Sequence, residues 1–428
     1  VDKGTFPAWI YGNSASGNAN FGYAVAGYQD GYPLKSTIYR INYANDTATP
    51  VVKGKTADEQ GYAAGHGPQD YAKPLFSGFG LSYTSWPNPN PSYQAAPSYG
   101  YSIGGWPNPS LSPSSRTPAQ RIDFTNDTAT AVVKADPGTP SFPYVSCVGN
   151  RDYGYSTQGG ANAGQSTQRL DYASDSTTML SKAPRYTYFQ NPSTGANTGS
   201  VGGYNEAAVG NRNYGYFNGG YKLYSVPTPT GVCPGGYVVG FSHIDRLDYS
   251  NDSSNTLRRS YNTTRTGEGG ASGTDSYGYW MGGGDNWCSY SDTSTIVERT
   301  DYSNDTSNSV GKGNLNTAQY RNRCIGNINY GWTTGGSPGP LSQVNRLDYS
   351  NDTTNATPKG NLSISRYLHT TTGNEDYGYA ASGPTSPTTT ERIDYSNDTA
   401  TASPKGNLTY NNSYGDGVSA GENGLPYG

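Results

Sequence analysis

"RIDYSNDT", Arg392–Thr399, decides how the chain is read, because it is the last of seven versions of one phrase. The others open at Arg40, Arg121, Arg169, Arg246, Arg299 and Arg346, and all fit R-[ILT]-[DN]-[YF]-x-[NS]-D-[ST]. Arg299, Arg346 and Arg392 stand 47 and 46 residues apart, which sets the undecorated period. A fixed period of this size marks a repeat architecture, in which each unit cannot bury its own faces and must stack on its neighbours.

Two further phrases share the period. An aromatic-glycine phrase precedes each anchor: FGYAVAG at Phe21, YGYSIGG at Tyr99, YGYSTQGG at Tyr153, YGYFNGG at Tyr214, YGYWMGGG at Tyr277, YGWTTGG at Tyr330 and YGYAASG at Tyr377. A Lys-Gly pair, or a relic of it, follows each anchor. The period from Lys359 reads as four strands. Strand a is "RYLHTTT", and "GNED" turns it into strand b, "YGYAAS". A Gly/Pro/Ser/Thr loop leads to strand c, "ERIDYS". "NDT" turns it into strand d, "TATAS", since Asn and Asp bond to nearby backbone. Alternation places Arg392 and Asp394 on one face of strand c, with Ile393 and Tyr395 on the other.

Composition agrees with an all-β reading. Of 428 residues only 32% are hydrophobic, yet 13% are aromatic, with 40 Tyr against 9 Phe and 2 Met, and 58 are Gly. Disordered chains are poor in aromatics and strongly charged, whereas this one carries a formal charge of −4. Tyr, Thr, Val and Ile favour strands, and Gly, Asn, Asp and Pro favour turns. A core built partly of tyrosine rings is expected, each ring buried and each hydroxyl partnered. The near-neutral balance argues against nucleic acid, and no run of 18 apolar residues suggests a membrane span. No signal peptide is visible, although a chain opening at Val1 says little on that point.

Four short antiparallel strands per unit, repeated, fit propeller blades. The expectation is an all-β, seven-bladed β-propeller over residues 1–404, with units at about 3–54, 55–134, 135–182, 183–259, 260–312, 313–359 and 360–404. The tail 405–428 begins an eighth copy and stops at its Tyr-Gly, which leaves a spare C-terminal strand. It either caps the ring, continues the array or completes a neighbouring subunit, and the latter two are preferred. The order of features resembles the kelch repeat: a double glycine after an aromatic strand, a variable loop, then an R-x-D-Y strand. "TATAS" stands where kelch repeats carry a tryptophan. The "DYSNDTATA…KG" wording is also similar to repeats in structural proteins of tailed phages that infect marine cyanobacteria. That likeness implies a virion or particle-surface protein and no particular activity.

Insertions fall unevenly. Lys-Gly to Tyr-Gly spans 18 residues from Lys312 to Tyr330 but 46 from Lys53 to Tyr99 and 32 from Lys182 to Tyr214. Tyr-Gly to arginine spans 15 residues from Tyr377 to Arg392 but 32 from Tyr214 to Arg246 and 22 from Tyr277 to Arg299. The extra length sits in the d–a and b–c connections, which share one end of an up-and-down sheet. That end is the expected working face, because binding residues concentrate in loops on rigid scaffolds. The insertions carry Tyr83, Trp86 and Tyr93, then Trp106, then Tyr221, Tyr224 and Tyr237, then Trp287 and Tyr290. Flat aromatics beside Asn, Asp and Ser suit a protein partner or a sugar ring. The plainer reading is that long loops bury their own aromatics.

Catalytic and metal signals are weak. His66, His243 and His369 lie in different units without ligand spacing, and no GxSxG or HExxH occurs. No catalytic residue, cofactor or metal is expected. The Asp of "NDT" reads as a turn residue. The pairs Arg121/Asp123, Arg169/Asp171, Arg246/Asp248, Arg299/Asp301, Arg346/Asp348 and Arg392/Asp394 read as structural, pairing across blades, with Arg40 facing Asn42 in the first unit. Asn45, Asn126, Asn251, Asn304, Asn351 and Asn397 also match glycosylation acceptors, which the turn requirement already explains. Cys147 and Cys324, in "SCVGN" and "RCIGN", suggest equivalent buried strand positions with free thiols. The expected function is a non-enzymatic structural and interaction protein of a virion or extracellular surface. It would bind other particle proteins or a surface glycan, within a larger assembly or homo-oligomer. The alternatives are a carbohydrate-active enzyme with its site in the central funnel and a secreted lectin-like adhesin.

Overall fold

The computed structural model describes residues 10–11, 14–17, 21–29, 34–42, 49–60, 99–105, 118–136, 144–157, 166–184, 206–224, 237–284 and 293–419. The chain forms two compact units, Val1–Pro89 and Asn90–Gly428. In the first, Ser14–Gly17, Phe21–Gln29, Leu34–Asn42 and Val51–Gln60 pair in sequence as strands a to d, with Ile10–Tyr11 added beside Phe21–Gln29. Tyr23 lies opposite Arg40, and Arg40 opposite Val51.

In the larger unit the same pairing recurs. Tyr379 faces Arg392 and Arg392 faces Ser403, as Tyr279 faces Arg299 and Arg299 faces Val310. Repeats three to seven each supply a complete sheet, the fourth widened by the extra strand Tyr221–Tyr224. The second repeat supplies only Tyr99–Ile103, Gln120–Asp123 and Val132–Val133, and its strand a is Asp416–Ser419 from the tail. Each strand a neighbours two others. The order is Asp416–Ser419, Cys147–Gly149, Ala207–Gly210, Gly270–Gly273, Arg323–Gly326, Thr370–Gly373, and back to Asp416–Ser419. Six sheets radiating from a closed circle of inner strands make a β-propeller.

Two expectations are corrected here. Among the described residues the ring has six blades, not seven, because Asp416–Ser419 fills the inner slot of the second-repeat blade and closes the circle there. The C-terminal strand is therefore not left over: it is joined to Tyr99–Ile103 within the same chain. A smaller correction concerns strand d. In the seventh repeat it is only Ser403–Pro404, because the residues expected to form it prolong the turn after Tyr395–Asn397, where the Ala400 amide donates to the Asn397 carbonyl.

The core is six layers between blades rather than one centre. One buried cluster joins Tyr101, Ile103, Leu170, Met179 and Val418 across the second and third blades, and another joins Ile122, Phe124, Tyr379 and Leu408 across the seventh and second. Four more fill the remaining interfaces. Aromatic stacks run through all six: Tyr101–Tyr172, Tyr155–Tyr249, Tyr216–Tyr302, Tyr279–Tyr349, Trp332–Tyr395 and Tyr379–Phe124, with centroids 4.0 to 5.3 Å apart. Such a pair adds about 0.5–1.5 kcal/mol beyond area burial. The second aromatic of each YGY or YGW thus meets the Tyr or Phe of the next blade's R-x-D-[YF].

Candidate functional site

The arginine anchors hold the blades together. Arg121 meets Asp175 at 2.8 Å, Arg169 meets Asp252 at 2.7 Å, Arg246 meets Asp305 at 2.7 Å, Arg299 meets Asp352 at 2.7 Å and Arg346 meets Asp398 at 3.0 Å. Arg392 closes the series on Asp127 at 2.7 Å. The pairing crosses blades as expected, but the acceptor is the Asp of the "NDT" turn and not the one in R-x-D. Asp123, Asp171, Asp248, Asp301, Asp348 and Asp394 instead cap their own turns, each accepting the backbone N–H two residues on at 2.9 Å.

Each buried "NDT" carboxylate also takes a second cation and an aromatic donor. Lys134, Lys182, Arg259, Lys312, Lys359 and Lys405 supply the cation. The donors are the hydroxyls of Tyr101, Tyr155, Tyr216, Tyr279 and Tyr379 and the indole N–H of Trp332. The arginine lies 4.1 to 4.3 Å from the first Tyr ring of its own blade. Burial alone would raise the Asp252 carboxyl, but Lys182, Tyr155 and Arg169 outweigh it and hold it below the usual range. Burial is likewise outweighed at Asp305 by Arg259, Tyr216 and Arg246. The glycine of Lys-Gly belongs to the same clamp. A Cβ on Gly360 would sit 1.9 Å from the Ala400 carbonyl oxygen, and the Gly360 N–H donates to the Asp398 carbonyl at 2.8 Å. This two-cation role of the "NDT" Asp was missed in the sequence, where the co-repetition of Arg, Lys-Gly and Asp was its one legible sign.

At the insertion-bearing end the expected binding residues fare differently. Tyr83, Trp86, Tyr93, Trp106, Trp287 and Tyr290 lie outside the described residues. Tyr221 is corrected: it is 4% exposed, its ring lies against Gly267 and its hydroxyl donates to the Gly284 carbonyl at 3.1 Å. Tyr224 and Tyr237 face each other as the last pair of the fourth blade's extra hairpin, at this same end.

The axis at this end was not foreseen. Tyr144, Glu268, Arg321, Leu368 and Tyr414 stand two or three residues before their inner strands, and all have left-handed φ between 47° and 73°. Their backbones link head to tail. Tyr144 N–H donates to Tyr414 O at 2.8 Å, Tyr414 to Leu368 at 2.8 Å, Leu368 to Arg321 at 3.0 Å and Arg321 to Glu268 at 2.5 Å. Strain of this kind persists where the surroundings over-determine it. Tyr144 and Tyr414 meet edge-to-face at 4.9 Å, and Arg321 lies 5.0 Å from the Tyr320 ring and 5.8 Å from that of Tyr367. Arg321 also meets Glu268 at 2.8 Å, and burial pushes that carboxyl up despite the pairing. An aromatic floor with one neutralised charge pair therefore lies at the centre of this end.

Further along the axis a cavity of about 30 Å³ is lined by Cys147, Glu206, Arg323, Cys324 and Asp416, which is room for a guest of water size. Cys147 and Cys324 are buried at equivalent strand positions, and burial pushes the Cys324 thiol far up. His369 is buried, holds Thr334 Oγ1 at 2.9 Å and is kept neutral by that burial. His243 is packed beside Asp245 at 3.5 Å. Among the described residues no three of His, Cys, Asp and Glu gather as a metal-holding group.

The larger unit is defined by this geometry as a β-propeller with clamped blades. No protein-family model and no curated protein matches the chain. Among solved structures 272 chains match. One of them, described as "Structure of YjhT", shares 13% identity over 65% of this chain and 87% of its own, with a TM-score of 0.49.

Proposed function

We propose that the chain is a non-enzymatic interaction protein whose propeller serves as a rigid platform on the surface of a virion or similar particle. It holds a neighbouring particle protein or a cell-surface glycan. The supporting observation is the confinement of length variation to the b–c and d–a connections, which share one end of the six sheets, while the turns at the other end keep their lengths. Six ion-pair clamps make the scaffold stiff, so the loops can vary without moving it. The particle setting rests on the likeness of the DYSNDT wording to phage structural repeats.

Trp106→Ala and Trp287→Ala should each weaken attachment to host cells about tenfold or more, as loss of an aromatic anchor does, and leave the melting temperature unchanged. Attachment that survives both changes removes the loops from the contact surface. Proteomic analysis of purified particles should find the chain, and its absence there rejects the setting. Release of soluble oligosaccharide from host polysaccharide would favour an enzyme instead.

A further inference from the structure

The first repeat, taken by itself, is a finished blade with both of its faces under-covered. Its four strands pair in order, and Tyr23, Arg40 and Val51 keep the register that the ring blades use. What differs is cover. The residue after the anchor arginine is 0 to 5% exposed in all six ring blades, as Ile122, Leu170, Leu247, Thr300, Leu347 and Ile393. The residue two before the arginine, Val297 or Val344 for instance, is at most 1% exposed in all six. In the first repeat these two places hold Ile41 and Ile38, and both are only half-buried.

The ring shows six times what covers such places. Ile393 shares a buried cluster with Trp332 and Val344 of the preceding blade, so Val344 in turn faces the blade that follows it. By the same assignment Ile41 belongs to the face that meets a preceding blade, and Ile38 to the face that meets a following one. Alternation along the strand keeps the two on opposite sides of the sheet. A repeat of this kind buries its faces only between blades of its own kind. The ring has no face to spare, because each of its six arginines sits on the aspartate of the next blade and its circle of inner strands is closed. The surface that fits an Ile41 face is the Ile38 face of the same repeat, and a second copy of the chain carries one. Complementary faces on opposite sides of one sheet make a head-to-tail contact, which closes when the turn per step divides the circle. Blades of this repeat turn one sixth of a circle per step.

We propose that the first repeats of six copies stack head to tail into a second ring, the Ile41 face of each on the Ile38 face of the next. The inference rests on the six-bladed ring and not on the particle setting or the loops. Sedimentation velocity of the full chain at micromolar concentration should show a species of six times the mass of one chain. Ile41→Asp and Ile38→Asp, each alone, should sediment as monomers, because every contact then contains one spoiled face. Mixed in equal amounts they should form a dimer, since each variant keeps the face that the other has lost and nothing further can be added. That recovery also shows that neither change unfolds the blade. Val52→Asp, at a place 55% exposed on the outer strand, should leave the six-chain species intact. A monomeric unmodified chain, an assembly that survives either single variant, or a mixture that stays monomeric would each overturn the assignment.

Discussion

Asp352 shows what one residue does in this protein. Its carboxylate accepts from Tyr279 at 2.9 Å and meets Arg299 and Lys312 at 2.7 and 3.1 Å, while its backbone carbonyl accepts from Gly313 at 2.8 Å. Removing it strands two cations and a hydroxyl at once. Breaking a buried pair costs about 3–5 kcal/mol, and partial exposure of Arg299 brings the expectation for Asp352→Ala to about 2–3 kcal/mol. Asp301→Ala removes only a turn cap and should cost about 1 kcal/mol. Equal losses in urea unfolding would mean that the two aspartates are wrongly assigned. The clamps also set the pH limits. Folded Asp252 and Asp305 titrate below their unfolded value of about 3.9, so their contribution is present above that pH and is lost as pH falls further. Burial raises Tyr101, Tyr155, Tyr216, Tyr249, Tyr279, Tyr302, Tyr349 and Tyr379, so their contribution is full below about pH 10 and lost above it. Tyrosinate absorbance should therefore rise together with loss of near-ultraviolet circular dichroism. A smooth titration near pH 10 with the fold intact would contradict this.

At the scale of the element, the repeat made strands b and c legible to within a residue or two, because Tyr-Gly and Arg-x-Asp fix both their place and their register. Strand d was not legible. "TATAS" has β propensity, but the capped turn before it continues and leaves two residues for pairing. The Lys-Gly pair was visible as a phrase yet silent as to purpose, since its reason is a neighbour's backbone. Gly360→Ala pushes a methyl into the Ala400 carbonyl and should cost about 1–3 kcal/mol, as overpacking does. Thermal unfolding measures it, and an unchanged midpoint would show that the blades do not approach so closely. The closing strand is equally exacting. Val418 is 2% exposed in the cluster of Tyr101, Ile103 and Leu170. Val418→Asp should open the ring at that blade, seen as fast amide exchange through Tyr99–Ile103. Protection that persists there would mean that another strand fills the slot.

The larger unit is a circle, and circles are hard to read from one repeat. Seven full copies suggested seven blades, but the count depends on which strand closes the ring. That choice is made by contacts more than 250 residues apart, Arg392 to Asp127 and Val418 to Tyr101. No local phrase announces them. The axial cluster of Tyr144, Arg321 and Tyr414 escaped for the same reason: its members precede their strands by short, dissimilar words, and only the ring brings them together. The charged and aromatic repeat residues, by contrast, were recognisable as structural from the start, because a function needs a residue once and a closed ring needs it in every blade. An experimental density map of the isolated chain tests the closed circle most directly. It should show six blades, with Asp416–Ser419 alongside Tyr99–Ile103 and Arg392 on Asp127. A ring of seven, with the first repeat inserted and Arg392 on Asp46, would contradict it.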